Sequence, residues 1–197
     1  WNINSVSVTN VDQHLQTWLG EQFTPAVATR LIQPLEEFIR LTTIRRPSMM
    51  DFSQQTSPST TNPTGDAGVK NTAFNAEEFG NELERYLNNY QDICNSIDKT
   101  AELVEESNKD AYFATIQYPV HAASLMAVKL LQAQESRLIG RPASFHHDSE
   151  ALESAARSMK AYLALEKLNQ YYSDSLADGK WKNIVDNTPR RLAFFGK

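Results

Sequence analysis

Apolar residues in this chain recur at three- and four-residue spacing over five separate stretches, and no stretch keeps the two-residue alternation of a strand. That period limits the fold to helices that bury one face each. Val11, Leu15, Trp18 and Leu19 repeat ahead of Gly20 and predict a short first helix. Thr24-Pro25 places a capping hydroxyl and a first-turn proline before Val27, Leu31, Leu35, Phe38 and Ile39. Pro34 should kink this second helix, and Arg45-Arg46-Pro47 should end it with cations at the negative pole of its dipole. Asn75 with Glu78 reads as a capping box opening a third helix along Phe79, Leu83, Tyr86, Leu87, Tyr90, Ile93, Cys94 and Ile97. Ser107 and Asp110 open a fourth through Phe113, Ile116, Val120, Ala127, Leu130, Leu131 and Leu138, with Pro119 inside it and Gly140-Arg141-Pro142 after it. Asp148 caps a fifth carrying Leu152, Ala156, Met159, Leu163, Tyr172 and Leu176, and Gly179 reads as its left-handed C-cap.

The expected fold is therefore all-α: an antiparallel bundle of about five helices forming one domain over 1–197. Residues 48–73, rich in Ser, Thr, Asn, Pro and Gly, read as a long polar loop or lid packed on a neighbouring domain, and 178–197 as an irregular C-terminal tail. A start at Trp1 suggests a segment excised from a larger protein.

Charge narrows the partners. The net charge is −5, and from Ala76 to Asp110 ten Asp or Glu face three Lys or Arg, so no basic stripe exists for nucleic acid. No apolar run is long enough to span a bilayer, and the single Cys94, on the apolar line of helix three, reads as core. The expectations are no nucleic acid, no membrane, no cofactor, and room for a homodimer.

The residues that could carry chemistry are few. Glu36-Glu37, Glu77-Glu78 and Glu105-Glu106 are adjacent pairs, and neighbours on a helix point about 100° apart, so none forms the converging carboxyl pair a glycosidase needs. No catalytic residue is nominated. His146-His147-Asp148 lacks chelating spacing and reads as a loop leading into a helix cap, and His14 as a surface position, so no metal site is expected. His121, just after Pro119, is a structural histidine or a polar contact with a neighbouring domain. Arg45 and Arg46 could clamp a carboxylate, or serve the helix dipole or an ion pair with the acidic third helix. Trp181, Phe194 and Phe195 could stack on sugar rings or simply dock the tail.

Three stretches carry a family resemblance. Gly179-Lys180-Trp181-Lys182-Asn183-Ile184-Val185-Asp186-Asn187-Thr188 resembles the Gly-Lys-Trp-Asn-x-Met-Met-Asp-Gln-Thr signature of glycoside hydrolase family 115, the xylan α-1,2-glucuronidases. Ile44-Arg45-Arg46-Pro47 resembles that family's Arg-Arg-Lys-Pro helix end, and residues 111–123, through Tyr118-Pro119-Val120-His121-Ala122, its Tyr-Pro-Val-Lys-Ala helix. Thr72-Ala73-Phe74-Asn75-Ala76-Glu77-Glu78 matches a fourth region loosely. The resemblance implies a helical accessory domain packed on a catalytic barrel of the same polypeptide. It implies that the parent removes (4-O-methyl)glucuronic acid from xylan and works in the periplasm or outside the cell. Arg45, Arg46, His121 and Trp181 would be contacts to substrate or barrel. The chain departs from the pattern at Thr42-Thr43, at Ser48-Met49 and at Pro189-Arg190-Arg191-Leu192-Ala193, which points to altered specificity or lost activity. The rival reading is a stand-alone helical binding module, supported by a complete core without a catalytic set; a metal or haem bundle lacks its ligand spacing.

Overall fold

A computed structural model describes residues 11–46, 71–75, 78–140, 148–182 and 184, and among them the regular structure is entirely helical. Helix α1 spans Val11–Gln22 and α2 Pro25–Ile44; α3 is Glu82–Ala101. Lys109–Tyr112, a π-helical turn over Phe113–Gln117, and Tyr118–Ile139 run on without a break and together form α4; α5 is Asp148–Asp174. Each helix packs on its neighbour in the chain. The pairing is antiparallel: Leu41 and Phe38 of α2 meet Tyr86 and Tyr90 of α3, while Ser154 and Asn169 of α5 meet Glu135 and Tyr118 of α4.

The expected punctuation of α2 is present. Thr24 is extended, its side-chain oxygen accepts from the Val27 N–H at 3.2 Å, and Pro25 sits in the first turn, where a missing N–H costs nothing. Pro34 does not end the helix, which continues to Ile44, and its ring is buried. Leu19, Val27, Leu31, Leu83, Tyr90, Ile97, Tyr112, Val120 and Leu131 form the core, with Phe23 edge-on to Tyr112 at 5.3 Å and Phe38 to Tyr90 at 6.4 Å.

Two expectations about register are corrected. Half of the Asn75–Glu78 box forms, with the Glu78 N–H donating to Asn75 Oδ1 at 2.8 Å, but the Asn75 N–H donates to Glu82 Oε2 at 3.2 Å instead of to Glu78, and no helix follows directly. Phe79, Gly80 and Asn81 all take positive φ, and α3 begins only at Glu82. Leu83 N–H then returns to the Asn75 carbonyl at 3.1 Å. The box thus caps a turn, and Phe79, assigned to the core, is 72% exposed.

The second correction concerns α5. Of the stripe read as buried, Leu152, Met159 and Leu163 are 68, 49 and 45% exposed and Ala156 is exposed with them, whereas Tyr172 is half-buried and Leu176, just past the helix, is buried. The face against α4 is Ser154, Ala161, Tyr162, Asn169 and Ser173 instead. Short side chains let the two backbones approach closely enough for Ser158 Oγ to donate to the Lys129 carbonyl at 2.6 Å, and for Ser154 Oγ to donate to Glu135 at 2.9 Å. Close packing plus satisfied hydroxyls outweighs what longer apolar side chains would gain by burial there.

Of the predicted lid, 48–70 lies outside the described residues. Its end, 71–73, is an extended strap on α4: Thr72 donates to Gln134 Oε1 from both its N–H and its hydroxyl at 2.7 Å, and Gln134 Nε2 donates to the Phe74 carbonyl at 3.0 Å. The tail beyond Ile184, with Phe194 and Phe195, and His146-His147 also fall outside the described residues.

Candidate functional site

The four residues nominated from sequence fall in three places. Arg45 closes α2 in an extended conformation, its N–H donating to the Leu41 carbonyl at 3.1 Å. Its guanidinium lies 6.0 Å from the centre of the Phe74 ring, and Tyr86 donates to the same Leu41 carbonyl at 3.3 Å. Burial pushes the Arg45 pKa down. This arginine thus lies over the strap as a cation on an aromatic face. Arg46, one residue on, is exposed.

His121 lies in the α3–α4 seam. Its Nε2 is 2.9 Å from Asp98 Oδ1, and Gln117 Nε2 donates to the same oxygen at 2.8 Å. The sulfur of Cys94, one turn before Asp98, and the Asp98 carboxylate both favour the protonated ring, and together they outweigh burial; the pKa is raised to about 9. At neutral pH His121 is a cation pinned to α3.

Trp181 stands beyond α5, at its far end. After Asp174 the chain makes a 3₁₀ turn over Leu176–Gly179 in which Ala177, Asp178 and Gly179 all have positive φ. The predicted left-handed glycine is present, as the last of three such residues. A Cβ at Gly179 would sit 3.1 Å from the Asp174 carbonyl oxygen, so both this close approach and the positive φ favour glycine here. Lys180 Nζ is 4.8 Å from the centre of the Trp181 ring. Ile184, in the same tail, is 63% exposed.

The end of the bundle that carries this turn also carries the π-helical turn, and the origin of the latter is Pro119. Proline offers no N–H to the Thr115 carbonyl and its ring crowds that oxygen in a regular helix. The chain answers by widening one turn, so that the Tyr118 N–H reaches back five residues to the Phe113 carbonyl. The wide turn presents Phe113 and Tyr118 towards the end of α5. Phe113 packs edge-on to Tyr171 at 4.8 Å, Tyr118 packs on Tyr172 at 4.4 Å, and the Tyr118 hydroxyl donates to Asn169 Oδ1 at 2.9 Å. Burial pushes the Tyr118 pKa up, so it remains a neutral hydrogen-bond donor. Asp110, in the first turn of α4, accepts from the Ala177 N–H at 3.2 Å. That bond ties the start of α4 to the turn after α5.

The stretch 111–123 therefore lies against the end of α5, next to the turn that leads into 179–182, while 44–46 lies elsewhere, against α3 and the strap. Sequence reading overlooked Asp98, Asp110 and the Phe113–Tyr118–Tyr171–Tyr172 cluster. Tyr118 directly before Pro119 was the available signal, since a proline-widened turn re-aims its aromatic neighbours. The arrangement offers aromatic faces and a fixed phenol donor, groups suited to holding a ligand or a neighbouring domain. Among the described residues no group of three metal-ligating side chains is present, and no helix is long and apolar enough to cross a membrane. No family model matches the chain, and no curated protein matches it.

Proposed function

We propose that the chain is the helical accessory domain of a glycoside hydrolase family 115-like α-glucuronidase. In this reading it packs against the catalytic barrel and presents the α4–α5 end to it. The parent hydrolyses (4-O-methyl)glucuronic acid side chains from xylan and acts outside the cytoplasm; this part of the reading rests on the resemblance. The observation that supports it is the Asp110–Ala177 bond. It ties the residue just before 111–123 to the turn just before 179–188, so the two stretches that resemble the family border the same end of the bundle. Arg45, Arg46, His121 and Trp181 remain the proposed contacts, with Trp181 and the neighbouring aromatic cluster nearest that end.

The native gene product, sized in its source cells with an antibody against this chain, tests the domain reading. A species several-fold larger than 22.3 kDa supports it. A species near 22.3 kDa supports the rival reading of a stand-alone binding module, which the closed core around Tyr90 and Tyr112 favours.

A further inference from the structure

We infer that the outward face of α5 is a self-association surface, on which a second copy of this chain lays its own α5 antiparallel. In the bundle α5 packs on α4 through the face that holds Ser154 and Ala161. At about 100° per residue, Leu152, Ala156, Met159 and Leu163 fall on the opposite side of the helix. They stand at i, i+4, i+7 and i+11, which makes one apolar line, and all four are exposed. Single surface leucines are ordinary, whereas a continuous apolar line on a charged helix marks a contact surface. The end of α5 proposed above to face the barrel begins near Tyr171, so that reading leaves this line open.

The occupant follows from the symmetry of the line. Its spacing reads the same in both directions, with Leu152 and Leu163 at the ends and Ala156 and Met159 in the middle. A twofold axis through the middle sets Leu152 of each copy against Leu163 of the other, and the long Met159 against the small Ala156. That is the self-complementarity of an isologous interface. A hollow of about 300 Å³ borders the line, with Ala133, Ala155, Met159 and Tyr162 in its lining. It gives Met159 of the second copy, unbranched and adaptable, a place to seat.

The flanking charges fit the same axis. Glu153 and Lys160 are exposed on one flank of the line, and their midpoint, between 156 and 157, is one residue from the line's own, between 157 and 158. An antiparallel twofold pairing brings like flanks together, so Glu153 of each copy meets Lys160 of the other. Arg157 takes only Oε1 of Glu153 within the helix, and a carboxylate accepts at both oxygens. Parallel pairing would turn this flank onto the other one, where Ala155 and Tyr162 offer neither charge a partner. A helix of unrelated sequence would match neither the apolar spacing nor the charges except by coincidence, whereas a reversed copy matches both.

Sedimentation velocity of the full chain tests this. The line is short and the dimer weak, so the mass should move from 22.3 kDa towards twice that value over about 10–500 μM. Leu152→Glu, at a site open in the monomer, should weaken association about a hundredfold, because each dimer covers two copies of that leucine. Glu153→Lys and Lys160→Glu should each weaken it about three- to tenfold alone, and the two in one chain should restore it. An unchanged helical spectrum and melting temperature at low concentration establish that each variant folds. A mass of 22.3 kDa at every concentration overturns the inference, as does a dimer that Leu152→Glu leaves intact. A dimer that Leu152→Glu abolishes but the double charge reversal does not rescue overturns the antiparallel pairing.

Discussion

His121 should make stability fall as pH rises through the alkaline range. The imidazole is raised from 6.5 to about 9 in the folded protein by Cys94 and Asp98, so the folded state holds its proton more tightly than the unfolded chain does. A raised pKa stabilises the fold fully below 6.5, and the contribution disappears as pH climbs through about 9. The upper bound is about 3 kcal/mol, at 1.36 kcal/mol per unit. Asp98 is 48% exposed, and water screens the pair, so about 1–2 kcal/mol is the expected share. Urea unfolding at several pH values between 6 and 9.5 measures it; with a slope near 2 kcal/mol per molar, the midpoint should drop by about 0.5–1 M. His121→Gln, which keeps a polar side chain but cannot titrate, should show a flatter profile by that amount. A His121→Gln profile parallel to wild type, or a wild-type midpoint that rises across this window, would refute the reasoning.

Other substitutions probe the packing. Gly179→Ala should cost about 1–3 kcal/mol through positive φ and the close Asp174 carbonyl, lowering the melting temperature by about 3–8 °C. Leu131→Ala, at a fully buried site, should cost about 2–5 kcal/mol, while Leu163→Ala on the outward face of α5 should cost less than about 1 kcal/mol; equal losses in chemical denaturation would contradict the α5 register. Tyr118→Phe should lose about 0.5–1.5 kcal/mol with the Asn169 bond, and an unchanged melting temperature would show that this bond contributes nothing.

What the sequence made legible follows from how local each signal is. The Thr24-Pro25 start, the Arg45 stop and the left-handed φ of Gly179 are set by the backbone within a few residues and all are present, but α5 ends at Asp174, so Gly179 closes the 3₁₀ turn after the helix instead of capping the helix itself. The capping box at Asn75 is just as local, yet only its Glu78 N–H half forms, and whether a helix continues depends on the three φ angles at 79–81, which the box does not control. The α5 register was misread for a different reason. Periodicity finds long apolar side chains, whereas α5 seats serine, alanine and asparagine beside Tyr162 against α4 and leaves Leu152 and Leu163 exposed. Only knowledge of the partner helix reveals that close approach. The site was less legible still. Asp98 and Asp110 acquire meaning from His121 and Ala177, which lie 23 and 67 residues away.

The most direct measurement of the central proposal is the release of (4-O-methyl)glucuronic acid from glucuronoxylan by the purified native full-length gene product. The account predicts release, and predicts that Phe113→Ala with Tyr118→Ala, at the end proposed to face the barrel, reduces it while the protein stays folded. A native product that is folded, no larger than this chain, and releases no glucuronate would contradict the account.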